Sequence, residues 1–387
     1  MADIGRLPAG VQDIYGAECA HLQRLREKLT RLFETGGYSP VRAATLEYYD
    51  TYARIGNAVP QERLFKLSDT DGKLLVLRPD VTLAISRIAA TKLPAGGARL
   101  YYFADKWDLR EAGGIWGREV YQAGVERLGE EGAFSDAQTI AFAIECLKAV
   151  GLEHFVVDIG HVGFFKGLLQ ECGLNDAEAE EVRSFVNGKD SFGAERALRK
   201  AGATAAAINA VLALPTLFGG AEVLERAEEV SHTPSSRLAL AHLKEIYVLL
   251  ADMGYAEYLR FDLGAVKSLS YYSGVIFSGL TEKLGAPVLS GGRYDRLADD
   301  FGKNIPAVGF ALGLKRILTA LGRQGFLAVP QGVEITIVCE RGAEGRAYRE
   351  YKKLTDEGKR VCLCARYGEE GKKGAEGRVV YFAKEET

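Results

Sequence analysis

Residues 262–316 read DLGAVKSLSYYSGVIFSGLTEKLGAPVLSGGRYDRLADDFGKNIPAVGFALGLKR. Three segments within this stretch have strand character: 271–279, 287–290 and 307–313. Each is rich in Val, Ile, Phe, Tyr or Leu and is bounded by Gly or Pro. The last runs straight into a helical pattern, with Leu314, Ile317, Leu318 and Leu321 at spacings of three and four. Between the strands, Gly291-Gly292-Arg293-Tyr294-Asp295 sets two residues without side chains beside a cation and a phenol.

The whole chain has 387 residues with 47% apolar content, enough to bury a full core in two or three domains. Its formal net charge of -3 gives no large single-sign imbalance of the kind that marks a nucleic-acid surface. The cysteines Cys19, Cys146, Cys172, Cys339, Cys362 and Cys364 are scattered, and none lies in a cluster of His or Cys partners. They read as reduced, mostly buried thiols, so no metal site is expected. The opening MADIGRLPAG lacks the apolar segment of a signal peptide, and no apolar run approaches the ~20 residues of a membrane span. A cytoplasmic location without membrane contact is the expectation.

Earlier in the chain, residues 17–35 place Leu22, Leu25, Leu29, Leu32 and Phe33 on one helical face, stopped by Gly36-Gly37. An extended segment starts at Tyr38 and leads to Leu46-Glu47. Residues 63–69 and 73–77 read as a hairpin turning at Thr70-Asp71-Gly72. Leu77-Arg78-Pro79-Asp80-Val81-Thr82 then enters a helical run. There Asp80 reads as the helix N-cap, its carboxylate accepting orphan N–H groups. Residues 98–109 and 118–128 form a second strand pair. Side chains alternate across a sheet, so Gln122, Gly124 and Glu126 share one face. That face is either a polar stripe toward solvent or a floor for a small polar ligand, with Gly124 leaving a gap.

Residues 135–150 read as a helix capped by Ser135 or Asp136 and ended by Gly151. A short strand at 154–160 leads past His161, read as structural, into another helix. From 174 to 255 the pattern is almost wholly helical, with Ser235 or Ser236 capping its last helix. After Gln331 the order is strand, helix, strand, strand.

These motifs carry a resemblance. GGRYDRL followed by PAVGFALGLKR is similar to the third signature motif of class II aminoacyl-tRNA synthetases, in the form found in histidyl-tRNA synthetase. LSYYSG is similar to that enzyme's histidine-specific motif, RGLDYYTG. The helix and strand before Leu46 resemble the first class II motif, with Ala44 where the family has Pro. REVYQAGVERLG resembles the second. The resemblance implies an α+β fold: an antiparallel sheet flanked by helices over residues 1–325, carrying a helical insertion at 174–255. A short α/β domain at 331–387 follows, shorter than a tRNA-reading module.

It also implies site residues. In the family the acid and Thr of Arg-Pro-Glu-x-Thr hold an amino acid's ammonium; here these are Asp80 and Thr82. The matching Gln122 would bond the ammonium or carboxylate. Glu126 and one of Tyr271 or Tyr272 would meet the imidazole. Tyr294 would close the wall, and Lys267 would neutralise the carboxylate.

The departures bear on chemistry. Activating an amino acid needs cations at developing phosphate charge. Arg316 keeps the motif 3 position. Counted back from Gln122 without gaps, the motif 2 arginine falls on Asp108, a charge reversal; a two-residue gap brings Arg110 there instead. The arginine of RGLDYY has become Lys267, which cannot reproduce a bidentate fork, and its Asp has become Ser270. Asp108, Arg110 and Arg316 therefore read as a vestigial ATP site.

Amino-acid-holding groups kept and activating groups eroded resemble the regulatory subunits of ATP phosphoribosyltransferase. That resemblance implies a non-catalytic chain without cofactor. It would bind histidine as an effector and confer activation and feedback inhibition on a short-form catalytic subunit in the first step of histidine biosynthesis. It further implies dimers within a hetero-octamer, with tRNA no longer a partner. The rival readings are an active histidine–tRNA ligase and a synthetase-like sensor of another amino acid.

Overall fold

In the computed structural model, residues 5–54, 59–94, 96–109, 117–264, 271–327, 332–365 and 377–383 are described. Two compact units divide the chain, 1–327 and 328–387.

The first unit opens with α1 (Gly16–Thr35), which buries Leu22, Leu25, Leu29 and Phe33 as its periodicity predicts. The extended segment that follows forms only the two-residue strand β1 (Ser39–Pro40). Next come β2 (Leu46–Tyr48), α2 (Tyr49–Arg54), β3 (Lys66–Ser68) and β4 (Leu74–Leu77). The hairpin turns where expected, with Gly72 at φ +81°, a value that favours glycine. Then follow α3 (Val81–Lys92), β5 (Ala98–Trp107), β6 (Glu119–Leu128), α4 (Gly132–Ala149), β7 (Phe155–His161) and α5 (Val162–Gln170). A helical stretch comprises α6 (Asp176–Asn187), α7 (Ser191–Lys200), α8 (Ala205–Ala213), the short β8 (Phe218–Gly219), α9 (Glu222–Arg226) and α10 (Pro234–Asp252). The unit closes with β9 (Leu259–Asp262), β10 (Val275–Thr281), β11 (Leu289–Arg293), β12 (Ala307–Gly313) and α11 (Leu314–Gln324).

Nine of these strands form one sheet in the order β1-β5-β6-β12-β11-β10-β7-β9-β8. Its centre is antiparallel, as expected, but β1 joins β5 and β9 joins β7 in parallel. The sheet therefore separates two faces. Ala123 and Val125 of β6 point into the main core, with Leu29, Phe33, Ile140, Ile144 and Phe310. That core continues without a break into the helical stretch through Val182, Leu198, Val211, Leu243 and Ile246. The opposite face carries a second cluster, with Val81, Leu83 and Ile85 of α3 against Tyr102, Tyr272 and Tyr294. Because strand side chains alternate, Glu126 belongs to this second face while its neighbour Val125 belongs to the first.

Several local expectations need correction. The segment at 271–279 is a strand only from Val275, and the one at 287–290 begins at Leu289 and runs to Arg293. Neither Ser135 nor Asp136 caps α4; its N-cap is Glu131, and both residues lie inside the helix. The cap of α10 is Thr233, whose hydroxyl accepts from Ser236 N at 3.0 Å.

Asp136 instead makes a buried ion pair. Arg293 Nε donates to Asp136 Oδ1 at 2.9 Å, and Arg293 Nη2 donates to Ser135 Oγ at 2.7 Å. His161 belongs to the same network and caps α5. Gly163 N–H donates to His161 Nδ1 at 3.0 Å, so the ring proton sits on Nε2, facing His242 Nδ1 at 3.3 Å. Burial holds the His161 pKa down to about 4, so the ring stays neutral at pH 7. His242 Nε2 in turn lies 3.2 Å from Asp136 Oδ2. The chain of contacts thus ties β7, α10, α4 and β11 together.

The second unit contains β13 (Ile335–Cys339), α12 (Glu344–Asp356), β14 (Val361–Ala365) and β15 (Arg378–Phe382). Its three strands are parallel, in the order β14-β13-β15, around a small core of Ile337, Cys339, Ala343 and Ala347. Cys362 and Cys364 share a face of β14, with sulfurs 3.3 Å apart.

Candidate functional site

The second face of the sheet holds a cavity of about 90 Å³. Pockets for drug-sized ligands run to ~300–1,000 Å³, so this one is on the scale of a single small molecule. Asp80, Thr82, Gln122, Glu126, Tyr271, Tyr272 and Tyr294 all line it. Seven of the eight residues expected to hold an amino acid are thus brought together; the eighth, Lys267, lies outside the described residues.

Glu126 is the centre of the arrangement and is 1% exposed. Thr82 Oγ1 donates to its Oε1 at 2.8 Å, and the Tyr294 hydroxyl donates to its Oε2. Burial outweighs these two bonds and pushes the Glu126 pKa up to about 8, with Asp80 adding to the rise. Glu126 is therefore protonated at neutral pH.

Room for this carboxyl comes from Gly309 on the neighbouring strand, paired with Glu126 in register. A Cβ at Gly309 would lie 1.8 Å from Glu126 Oε2. Gly309→Ala should displace the carboxyl from its place, at a cost of about 1–3 kcal/mol for overpacking. The added Cβ would also lie 2.5 Å from the Val125 carbonyl oxygen, so a melting temperature equal to that of the parent chain would show both the carboxyl and the strand free to give way.

The gap expected above Gly124 is occupied. A Cβ there would stand 2.4 Å from Cζ of Tyr102, whose ring crosses the glycine. Tyr102 thus forms part of the cavity wall.

Asp80 is the N-cap expected of it, and it also lines the cavity. Its Oδ1 accepts from Leu83 N at 2.9 Å, capping α3, while its Oδ2 meets the Tyr271 hydroxyl at 3.4 Å. Burial raises its pKa, and the Leu83 N–H and the charge of Lys106 oppose that rise. The Tyr271 and Tyr272 rings pack against each other at a tilt of 50°, with centroids 4.9 Å apart, and both lie among the acids. Lys106 also lines the cavity, though no motif announced it. The only signal for it in the sequence is its parity with Tyr102 and Ala104 on β5.

The candidate ATP-site residues do not join this group. Asp108 is buried directly after β5 and paired with Arg63, whose Nε donates to Asp108 Oδ1 at 3.1 Å. Arg316 Nη1 donates to the Pro287 carbonyl at 3.0 Å, and neither Asp108 nor Arg316 lines the cavity. Arg110 lies outside the described residues. Among the described residues no group of three or more His, Cys, Asp or Glu could hold a metal ion. Nor is any helix among them long and apolar enough to cross a membrane.

An antiparallel sheet bearing one polar, glycine-lined face, with motifs in this order, is the architecture of the histidyl-tRNA synthetase class. The family model described as histidyl-tRNA synthetase matches residues 10–317. A solved structure of an ATP phosphoribosyltransferase regulatory subunit/histidyl-tRNA synthetase from Bacillus halodurans superposes with a TM-score of 0.87 at 30% identity, covering 100% of both chains. A histidine–tRNA ligase subunit from Alicyclobacillus acidocaldarius gives 0.71 at 26% identity, over 83% of this chain and 98% of that one. Among curated relatives, the ATP phosphoribosyltransferase regulatory subunit of Acetivibrio thermocellus is 42% identical over 88% of this chain and 81% of its own length. That of Thermoanaerobacter sp. is 36% identical over 92% and 93%. The chain belongs to the family of ATP phosphoribosyltransferase regulatory subunits.

Proposed function

We propose that this chain binds histidine in the cavity around Glu126 and relays its presence to a short-form ATP phosphoribosyltransferase catalytic chain. It activates that chain when the cavity is empty and restrains it when histidine is bound. The observation that carries this reading is a separation of charges. The residues suited to an amino acid converge on one cavity, while Asp108 is committed to Arg63 and Arg316 bonds the Pro287 carbonyl.

In this reading Asp80 receives the ammonium, and Glu126 shares its proton with the imidazole. Thr82 and Tyr294 orient Glu126 from either side. Gln122 bonds the ammonium or the carboxylate, and the Tyr271–Tyr272 pair encloses the ring. The chain performs no chemistry of its own. Its effect is a coupling free energy between the cavity and the partner, typically ~1–3 kcal/mol. Dimers of this chain assemble with the catalytic chain into a hetero-oligomer.

The test mixes purified chain with a short-form catalytic chain and measures phosphoribosyl transfer. Activity should rise on mixing and fall again on adding histidine. No rise on mixing would remove the regulatory role. Histidine-dependent exchange of pyrophosphate into ATP above background would instead identify a working ligase.

A further inference from the structure

We propose that Lys106 sets the specificity of this cavity: its ammonium receives the ligand's carboxylate, so that an amino acid is accepted and the corresponding amine is refused. This rests on the reading above that the ligand is an amino acid, and it adds a residue for which no motif speaks.

Two carboxyl groups, Asp80 and Glu126, line the cavity. Protonated Glu126 suits an imidazole and Asp80 suits an ammonium, but neither attracts an anion placed among them. An amino acid carries an anion, so the site needs a cation within reach of it. Among the described residues that line the cavity, Lys106 is the sole Lys, Arg or His. Asp108, where the ungapped count puts the family's motif 2 arginine, is paired with Arg63 and does not line the cavity.

Position agrees with charge. Lys106 follows Tyr102 and Ala104 on the cavity face of β5. Ala104 is paired with Gln122 and Lys106 with Val120, so the cation lies one step beyond the amide along the same face. The small side chain of Ala104 leaves the space over Gln122 open to the lysine stem. Floor groups then run in the order Glu126, Gln122, Lys106: acid, amide, cation. A histidine laid along that line puts its ring at the acid and its carboxylate at the cation. The Lys106 ammonium has no hydrogen bond or ion pair among the described residues, while its charge acts on Asp80. It is poised to take an anionic partner.

The experiment is calorimetric titration of the full chain with L-histidine and with histamine, which keeps ring and amine but lacks the carboxylate. The parent chain should prefer L-histidine by at least about tenfold, the scale expected for one charge-assisted contact. In Lys106→Met the affinity for L-histidine should fall by about tenfold or more while histamine is unaffected, closing the gap between the two. Lys106→Arg should restore part of the preference. Lys106→Gln, which keeps a polar head, guards against a variant that fails to fold.

Three results would overturn the proposal. In the first, Lys106→Met binds L-histidine as the parent does. In the second, both ligands weaken alike, which would make Lys106 a structural residue. In the third, Lys267→Met abolishes the preference while Lys106→Met leaves it intact, giving the carboxylate to Lys267. A parent chain that binds neither ligand is a different failure, and it would take the histidine reading down as well.

Discussion

With histidine in the cavity as proposed, Glu126→Gln should weaken its binding by roughly thirtyfold at pH 7.5, the loss expected when a buried charge-assisted hydrogen bond of about 2 kcal/mol becomes a neutral one. The amide occupies the same space, so Thr82 and Tyr294 keep a partner and the fold survives. The pH profile carries more information than the single affinity. Glu126 in the empty pocket gives up its proton only near pH 8. Free imidazole takes one up near ~6.5. Between these values the protonated carboxyl meets a neutral ring and one proton is shared, so affinity is greatest there. Above about pH 8 a proton must be recovered from solvent, and affinity falls about tenfold per pH unit. The glutamine variant lacks this alkaline limb. If it keeps the limb, the titrating group is elsewhere.

The same group affects the stability of the ligand-free chain, with a sign that can be checked. Its folded pKa lies above the 4.5 of an ordinary glutamate. The stabilisation it gives is complete below pH 4.5 and is lost as pH rises through about 8. Across that window the unfolded chain has released a proton that the folded chain retains, at about 1.4 kcal/mol per pH unit. Melting temperatures of parent and glutamine variant should therefore diverge in slope between pH 5 and 8, the parent falling faster.

Arg293→Met is expected to cost the most stability. It leaves Asp136, which is 0% exposed, as a buried charge without its guanidinium. Breaking such a pair from one side costs about 3–5 kcal/mol. The double variant Arg293→Met with Asp136→Asn should recover part of that loss, because no isolated charge remains. Thermal denaturation of the two single variants and the double variant measures the coupling. Additive losses would mean that the two groups do not interact across their 2.9 Å contact.

What the sequence makes legible follows from the range of the interactions. The strand at Ala307–Gly313 and the helix after it are readable because Pro306 and the Leu314–Leu321 spacing bracket them locally. Gln122, Gly124 and Glu126 fall on one face because strand alternation leaves no choice. The 271–279 segment misleads because two consecutive tyrosines look like strand. Here both rings turn into the same cavity, which alternating strand geometry forbids. β11 misleads the other way. Its Gly291 and Gly292 fall beyond the strand expected at 287–290, yet a Cβ on either would stand 2.5–2.7 Å from neighbouring atoms, so the sheet demands glycine there. Ser135 and Asp136 looked like caps because a cap is a local device. Their real partner is Arg293, more than 150 residues away. Lys106 stayed hidden because it belongs to no motif.

The pairing of Asp108 with Arg63 also acts as a ratchet. A single Asp108→Arg substitution would not leave a free cation at this position. It would press two guanidiniums together in a place that is 3% exposed at Asp108. A lineage descending from this chain would have to alter Arg63 before, or together with, Asp108. Asp108 and Arg63 are thus locked to each other, and the charge of either changes without loss of stability only when the other changes with it.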